Sequence, residues 1–388
     1  MVVDMRLPAK IEIFGDILNI RSDIGYVFEY EPEYFIQRAQ QEIIPILEQY
    51  ASYNNVIIDM AVEEATVASG IIPSVNAMNN LMAQVQASRP ELVYTILLND
   101  NHVTPGVREE LEKLSNVIYC HWFLMPYYYH YSNSIHWNHT AGKALFLPGK
   151  INKAHRIYPI YSLYKQDKLT TEFVYSLLGK PSDGITDTAD INKWYSELLY
   201  QLTISECDSG ITVDDIKSLM SKLENDIDGT IDLSIDCGKQ VTRRVDTGVY
   251  SQTSAELLSE TWNDDNNHLT EKSWRPILAG QPFFHVVESF NTRLLDLGYR
   301  TFDKYCDRLE SDGSIRSQTD NAISQISKFI KLCKDNELAE NIKNDIMHNR
   351  NLARATAQHT INTLNRRHPG FADIAEEFFT KNEYESVH

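Results

Sequence analysis

Val56-Ile-Ile-Asp-Met60, Leu92-Val-Tyr-Thr-Ile-Leu-Leu98 and Asn116-Val-Ile-Tyr-Cys-His-Trp-Phe123 decide the fold class. Each is a short apolar run rich in β-branched or aromatic residues, as a buried strand requires. Between them lie two stretches of helical spacing. Ser74–Ser88 repeats Val75, Met78, Leu81 and Met82, and Pro105–Ser115 has a proline near its first turn. Strands separated by helices return parallel, so the first third predicts a Rossmann-like parallel sheet covered by helices.

Outward from that stretch, residues 124–142 break the pattern. Met125-Pro-Tyr-Tyr-Tyr-His-Tyr-Ser-Asn-Ser-Ile-His-Trp-Asn-His139 is aromatic and polar without a period, and reads as a loop between halves. A second alternation follows: a strand at Lys143–Leu147, a turn at Pro148-Gly149 and a helix over Ala154–Lys168. An acidic insertion at 181–236 carries helices near 190–204 and 213–225. Next come strands at Ala255–Thr261 and Pro282–Val287, alternating with helices at Thr270–Ala279 and Ser289–Leu297. The tail beyond Ser314 reads as helical, with Arg350, Arg354, Arg366 and Arg367. The expected domains are 1–140, 141–314 and a helical extension, 315–388.

At 388 residues two domains are the ordinary count, and 43% hydrophobic residues can fill their cores. No apolar run approaches the ~18 residues of a membrane span. The opening Met1-Val-Val-Asp-Met-Arg-Leu-Pro8 has no basic flank and no cleavage site. Cys120, Cys207, Cys237, Cys306 and Cys333 are odd in number, far apart and free of C-x-x-C spacing. A soluble, unprocessed, cytoplasmic protein is expected. The 36 basic and 54 acidic residues give a net charge of −18, which opposes a whole-surface grip on nucleic acid and leaves only a local basic groove. There is no Gly-rich phosphate loop of the P-loop or dinucleotide type, so kinase, ATPase and classical dehydrogenase readings have no support.

Chemistry concentrates between Leu257 and His285. Thr270 is an expected N-cap, with Glu271 and Lys272 in the first helical turn. Free N–H groups of such a turn favour an anion. Lys272 adds charge, and the Glu271 carboxylate is able to accept two ribose hydroxyls.

Glu260-Thr, a polar loop, then Leu-Thr-Glu-Lys-x-x-x-Pro-Ile-Leu-Ala-Gly-x-Pro-Phe resembles the donor-binding segment of GT-B glycosyltransferases, closest to the α-1,3-fucosyltransferase-like group and phage-encoded relatives. Leu297-Gly-Tyr-Arg-Thr-Phe-Asp303 is similar to the phage-type members. Phe146-Leu-Pro-Gly-Lys-Ile-Asn-Lys-Ala-His-Arg156 is similar to the family's strand, Asn-containing loop and arginine. The resemblance spans roughly 143–310 and implies two Rossmann-like domains facing a cleft. It implies Arg156 and Lys272 on the pyrophosphate of a nucleotide-sugar donor, Glu271 on its ribose, and Thr270, Tyr250 and Glu260 beside them. The insertion at 181–236 departs from the compact family core, and the first 140 residues match only in alternation.

Such an enzyme moves a sugar to a hydroxyl with no resident cofactor and, by this reading, no metal. Its catalytic base is sought at strand ends of the first half: Glu63, Glu64 or Asp100. The acceptor is left open among a glycan, a protein and a modified DNA base such as hydroxymethylated cytosine. A non-catalytic binding protein of GT-B shape is the rival, and a nucleotide-processing hydrolase a second. His130, His136 and His139 fit no standard zinc spacing and read as loop histidines near the acceptor. Asp264-Asp265 reads as a polar loop rather than a metal-holding pair. Arg243-Arg244 read as surface arginines, and Tyr127–Tyr131 as packing or stacking groups. His155 is left open between phosphate contact and helix packing.

Overall fold

The structure, a computed structural model, describes residues 10–21, 32–60, 68–99, 105–120, 124, 137–150, 153–178, 188–204, 211–225, 247–260, 269–307 and 311–381. The chain divides into two compact units, one of residues 1–130 with 354–388, the other of residues 131–353. Both contain a parallel sheet with helices, so the α/β class is shown.

In the first unit, β1 (Lys10–Phe14) and β2 (Ile17–Arg21) form a hairpin turned by Gly15 at φ +58°. Then follow α1 (Pro32–Gln49), β3 (Asn55–Asp59), α2 (Ala68–Ser88), β4 (Val93–Asn99), α3 (Pro105–Leu111) and β5 (Val117–Cys120). The sheet runs β1-β2-β3-β4-β5, parallel from β2 onward. Sequence reading located β3 to β5 but not the hairpin or α1.

Strand order here equals chain order, which has a consequence. Strand–helix–strand connections are right-handed, so helices between strands that advance in one direction all land on one face. Ala39, Ile43 and Leu47 of α1, Met78 and Met82 of α2, and Leu111 of α3 accordingly pack with Leu18, Val56, Ile58 and Ile96. The alternate residues, Ile17, Ile57, Leu97 and Ile118, point to the other face, which no crossover can cover. The tail covers it. Ile361 and Leu364 of α11 (Asn336–Arg367) and Phe371 and Ala375 of α12 (Phe371–Lys381) complete that core. The tail expected as one extension over 315–388 is thus divided between the units at residue 353.

The second unit holds β6 (Ala144–Lys150), α4 (Ala154–Lys165), β7 (Phe173–Leu178), α5 (Thr188–Ile204), α6 (Val213–Asn225) and α7 (Thr247–Ser251). It continues with β8 (Ala255–Leu258), α8 (Glu271–Ala279), β9 (Phe283–His285), α9 (Ser289–Asp296), α10 (Ile315–Leu332) and the first part of α11. Its sheet is parallel in the order β7-β6-β8-β9. The turn expected at Pro148-Gly149 is instead strand. β7 pairs with Gly149 and Lys150 across an irregularity that follows Phe146, and this non-local pairing overrides the local turn signal. The insertion's α5 and α6 pack on α4, with a Lys165–Asp215 ion pair of 3.0 Å. Helix α10 packs along α4, joined by Ser162–Asp320 at 2.7 Å and by Lys168 and Glu172 to Ser327.

Candidate functional site

The sheet of the second unit reverses direction. The chain steps from β6 outward to β7, then returns to the other side of β6 with β8. Helices leaving two neighbouring strands toward opposite sides open a crevice at the strands' carboxyl ends, the usual ligand position in open α/β sheets. The residues that end β6, begin α4, follow β8 and begin α8 meet there.

Gly149 sits at the end of β6 with φ +74°, a left-handed conformation suited to glycine. A Cβ placed on it would lie 3.9 Å from Lys272 Cε and 4.0 Å from Arg156 Nη1. Two cations separated by 116 positions therefore flank one bare stretch of backbone. Arg156 stands in the first turn of α4 and is 5% exposed; Lys272 is the second residue of α8 and is 7% exposed.

Arg156 is held by its Nε, which donates to the Glu260 carbonyl at 3.3 Å. His155 Nε2 lies 2.9 Å from the same oxygen, so that nitrogen carries the proton. Burial pulls the His155 pKa down to about 4, which keeps the ring neutral and leaves charge to its neighbours. Of its two open readings, the structure favours packing. Pro159 has no N–H to donate to the His155 carbonyl, and the Ser259 hydroxyl donates there instead at 2.7 Å.

Helix α8 begins on a dense capping arrangement. Thr270 is the N-cap, its hydroxyl accepting from the Lys272 N–H. The Glu260 carboxylate accepts from the N–H and hydroxyl of Thr270 and from the N–H and hydroxyl of Ser273, both N–H contacts being 3.2 Å. This corrects one expectation: the N–H groups of Lys272 and Ser273 are occupied by the chain's own oxygens and do not await an external anion. Glu260, 2% exposed, is the anion the helix dipole holds. Among the described side chains, Arg156 and Lys272 are the cations that stand beside Gly149. The Ser273 hydroxyl also meets His285 Nε2 at 2.8 Å, and His285 Nδ1 lies 2.8 Å from the Asn291 side-chain amide. Burial holds His285 at a pKa of about 4.

Tyr250 belongs to a separate buried network. Its hydroxyl donates to Glu256 Oε2 at 2.8 Å, while Arg275 donates from Nε to that hydroxyl and from Nη2 to Glu256 Oε1, each at 2.9 Å. Burial pushes the Glu256 carboxyl up and Arg275 opposes it; burial likewise raises the Tyr250 phenol. Sequence reading missed this pair. Its signal was a carboxylate inside the apolar strand Ala255-Glu-Leu-Leu258, where an acid must find a partner.

Glu63, Glu64, Asp100, Asp264, Asp265, Arg243, Arg244, His130, His136 and residues 127–131 lie outside the described residues, as does the side chain of Glu271. In the first unit, the described carboxyl ends of β3 and β4 carry buried Asp59 and Asn99. His139 is half-buried, its carbonyl accepting from Cys333 Sγ. Among the described residues no group of three or more His, Cys, Asp or Glu side chains is placed to hold a metal ion. No helix among them is long and apolar enough to cross a membrane.

The crevice thus offers two buried cations beside a glycine, Arg156 in the first turn of α4 and Lys272 in the first turn of the capped α8, at a topological switch point. That is chemistry for a phosphate or diphosphate, since a guanidinium fork and an ammonium both pair with anionic oxygens. Comparison with family models, with curated proteins and with solved structures gives no match for this chain.

Proposed function

We propose that this protein is a nucleotide-sugar-dependent glycosyltransferase of the GT-B class, transferring a sugar to a hydroxyl acceptor. The convergence of Arg156 and Lys272 beside Gly149 carries the reading. In such a transfer the acceptor oxygen bonds to the anomeric carbon as the sugar–phosphate bond breaks, and the diphosphate leaves with the electron pair. Arg156 and Lys272 stabilise that developing charge, a role a divalent cation fills in other transferases. The acceptor proton passes to a carboxylate, with Glu63, Glu64 and Asp100 as the candidates. Glu271 takes the ribose. The sequence resemblance and the α/β architecture with parallel sheets support the class. Acceptors in scope are glycans, proteins and modified DNA bases, the last opposed by the net charge of −18.

The test is a thermal-shift titration with UDP- and GDP-linked sugars, followed by mass spectrometry of candidate acceptors, hydroxymethylated DNA included. Stabilisation by one nucleotide sugar that disappears in both Arg156→Ala and Lys272→Ala is the expected result. No stabilisation by any nucleotide sugar, or stabilisation untouched by both substitutions, would overturn the reading. Binding without transfer to any acceptor would leave a non-catalytic nucleotide-sugar-binding protein.

A further inference from the structure

We infer that the second unit carries a binding site for a neutral sugar, distinct from the diphosphate crevice and independent of the donor reading. A cavity of about 310 Å³ opens at the carboxyl end of β9, between α9, α10 and the short turn at Asp303–Tyr305. Its size is at the small end of ligand pockets. The described wall contains no lysine or arginine. It consists of two carboxylates, Glu288 and Asp303, and the His285 imidazole, with side-chain amides, two hydroxyls and apolar surface from Leu295 and Ala322.

Several of its polar atoms are already engaged. Gln318 Oε1 accepts from the Glu288 N–H at 2.9 Å, and Gln318 Nε2 donates to the Gly313 carbonyl at 2.6 Å. Glu288 Oε1 accepts from Asn321 Nδ2 at 3.3 Å. Asn291 is held by His285. Two wall residues keep an unmet atom: Asp303 Oδ1, an acceptor, and Gln325 Nε2, a donor, are buried without a hydrogen-bond partner. Gln325 is only 6% exposed, and an unmet polar atom at that depth is costly. Both atoms end broad, two-fold torsions, so each can turn toward a ligand within its residue's ordinary conformations.

The identity of the ligand follows by elimination. An anion would meet two carboxylates and no cation. A cation would satisfy Asp303 but leave the Gln325 amide without an acceptor. Hydroxyl groups both donate, as Asp303 requires, and accept, as Gln325 requires. Leu295 and Ala322 suit the C–H face of a pyranose, and the remaining oxygen and amide groups suit its other hydroxyls. A neutral polyhydroxylated ring answers the whole wall; a diphosphate or an amine answers half of it.

Saturation-transfer NMR on the full chain tests this with neutral hexoses, and with glucuronate and glucosamine as anionic and cationic controls. At least one neutral hexose should bind at millimolar concentration. Binding should weaken by about tenfold in Gln325→Leu and in Asp303→Ala, while Arg156→Ala leaves it unchanged. Should either variant unfold, Gln325→Glu, which keeps the side chain's length, and the shift of the His285 ring resonances on adding sugar give the same information in folded protein. The inference fails if no neutral hexose binds at tens of millimolar. It fails equally if glucosamine alone binds, if the folded variants bind as the parent does, or if His285 does not respond. Sugar binding without any nucleotide response would sustain the site and overturn the donor reading.

Discussion

The two units solve one packing problem in different ways. In the first, strands β2 to β5 advance in chain order, so every crossover helix lies on one face and the far face waits for α11 and α12. In the second, β7 and β8 lie on opposite sides of β6, and the helices that follow divide between directions. A one-way sheet needs a borrowed cover, and among its described strands it has no switch point. A reversing sheet makes a crevice as a by-product of its topology. The second unit accordingly carries the converging cations.

The largest expected effect falls inside the second unit's sheet. Arg275→Met leaves the buried Glu256 without its ion-pair partner, with the Tyr250 hydroxyl still donating to it, and should cost about 3–5 kcal/mol in chemical denaturation; the double variant Arg275→Met with Glu256→Leu should recover most of that. If the single substitution is neutral, this unit is not organised around its buried ion pair.

Next comes the borrowed cover of the first unit. Phe371→Ala removes a ring from the face lined by Ile17, Ile57, Leu97 and Ile118 and should cost about 3 kcal/mol. Hydrogen exchange should quicken in β2 to β5 and stay unchanged in β6 to β9. Uniform acceleration would show that the two units do not unfold separately.

Transfer activity, once a donor is found, should fall about a hundredfold in Arg156→Ala or Lys272→Ala, the scale of losing one charge-stabilising group. Unfolding midpoints of these variants check that the loss is local.

A smaller, graded contrast comes with pH. His155 and His285 in the second unit and His368 in the first are each held at about 4 by burial. With the folded pKa depressed, their stability contribution is intact above the unfolded value near 6.5. It is lost as pH falls toward 4, because only the unfolded chain takes the proton. At pH 5.5 each should cost about 1.4 kcal/mol, so acid should loosen the second unit further than the first. The least effect belongs to Lys165→Ala, which removes a solvent-exposed ion pair to Asp215 on the insertion and should leave the unfolding midpoint in place.

Strands β3, β4, β5, β6, β8 and β9 were legible because burial in a parallel sheet demands short apolar runs, and Thr270 because a helix start needs an oxygen for its N–H groups. The ends of α8 show the same: Gly280 closes it at φ +76°, with the Gln281 N–H donating to the Pro276 carbonyl. The family resemblance singled out Glu260 as a residue beside the donor, but nothing in the sequence marked it as the carboxylate that caps α8. Its partners lie 10 and 13 positions away, across a polar loop whose path no local pattern dictates. Arg275, Gln325 and the hairpin at 10–21 escaped for similar reasons.

Residue chemistry and periodicity along the chain were enough to establish an α/β protein and the position of most strands, whereas Arg156 and Lys272 were singled out through the family resemblance. Strand order, the strand character of Gly149, the division of the helical tail and the placing of Arg156 beside Lys272 belonged to tertiary structure alone. Periodicity reports which side of an element is apolar, whereas neighbours across a sheet are chosen by contacts between separate segments, the most distant among the described strands being β6 with β8, where Ala144 pairs with Ala255.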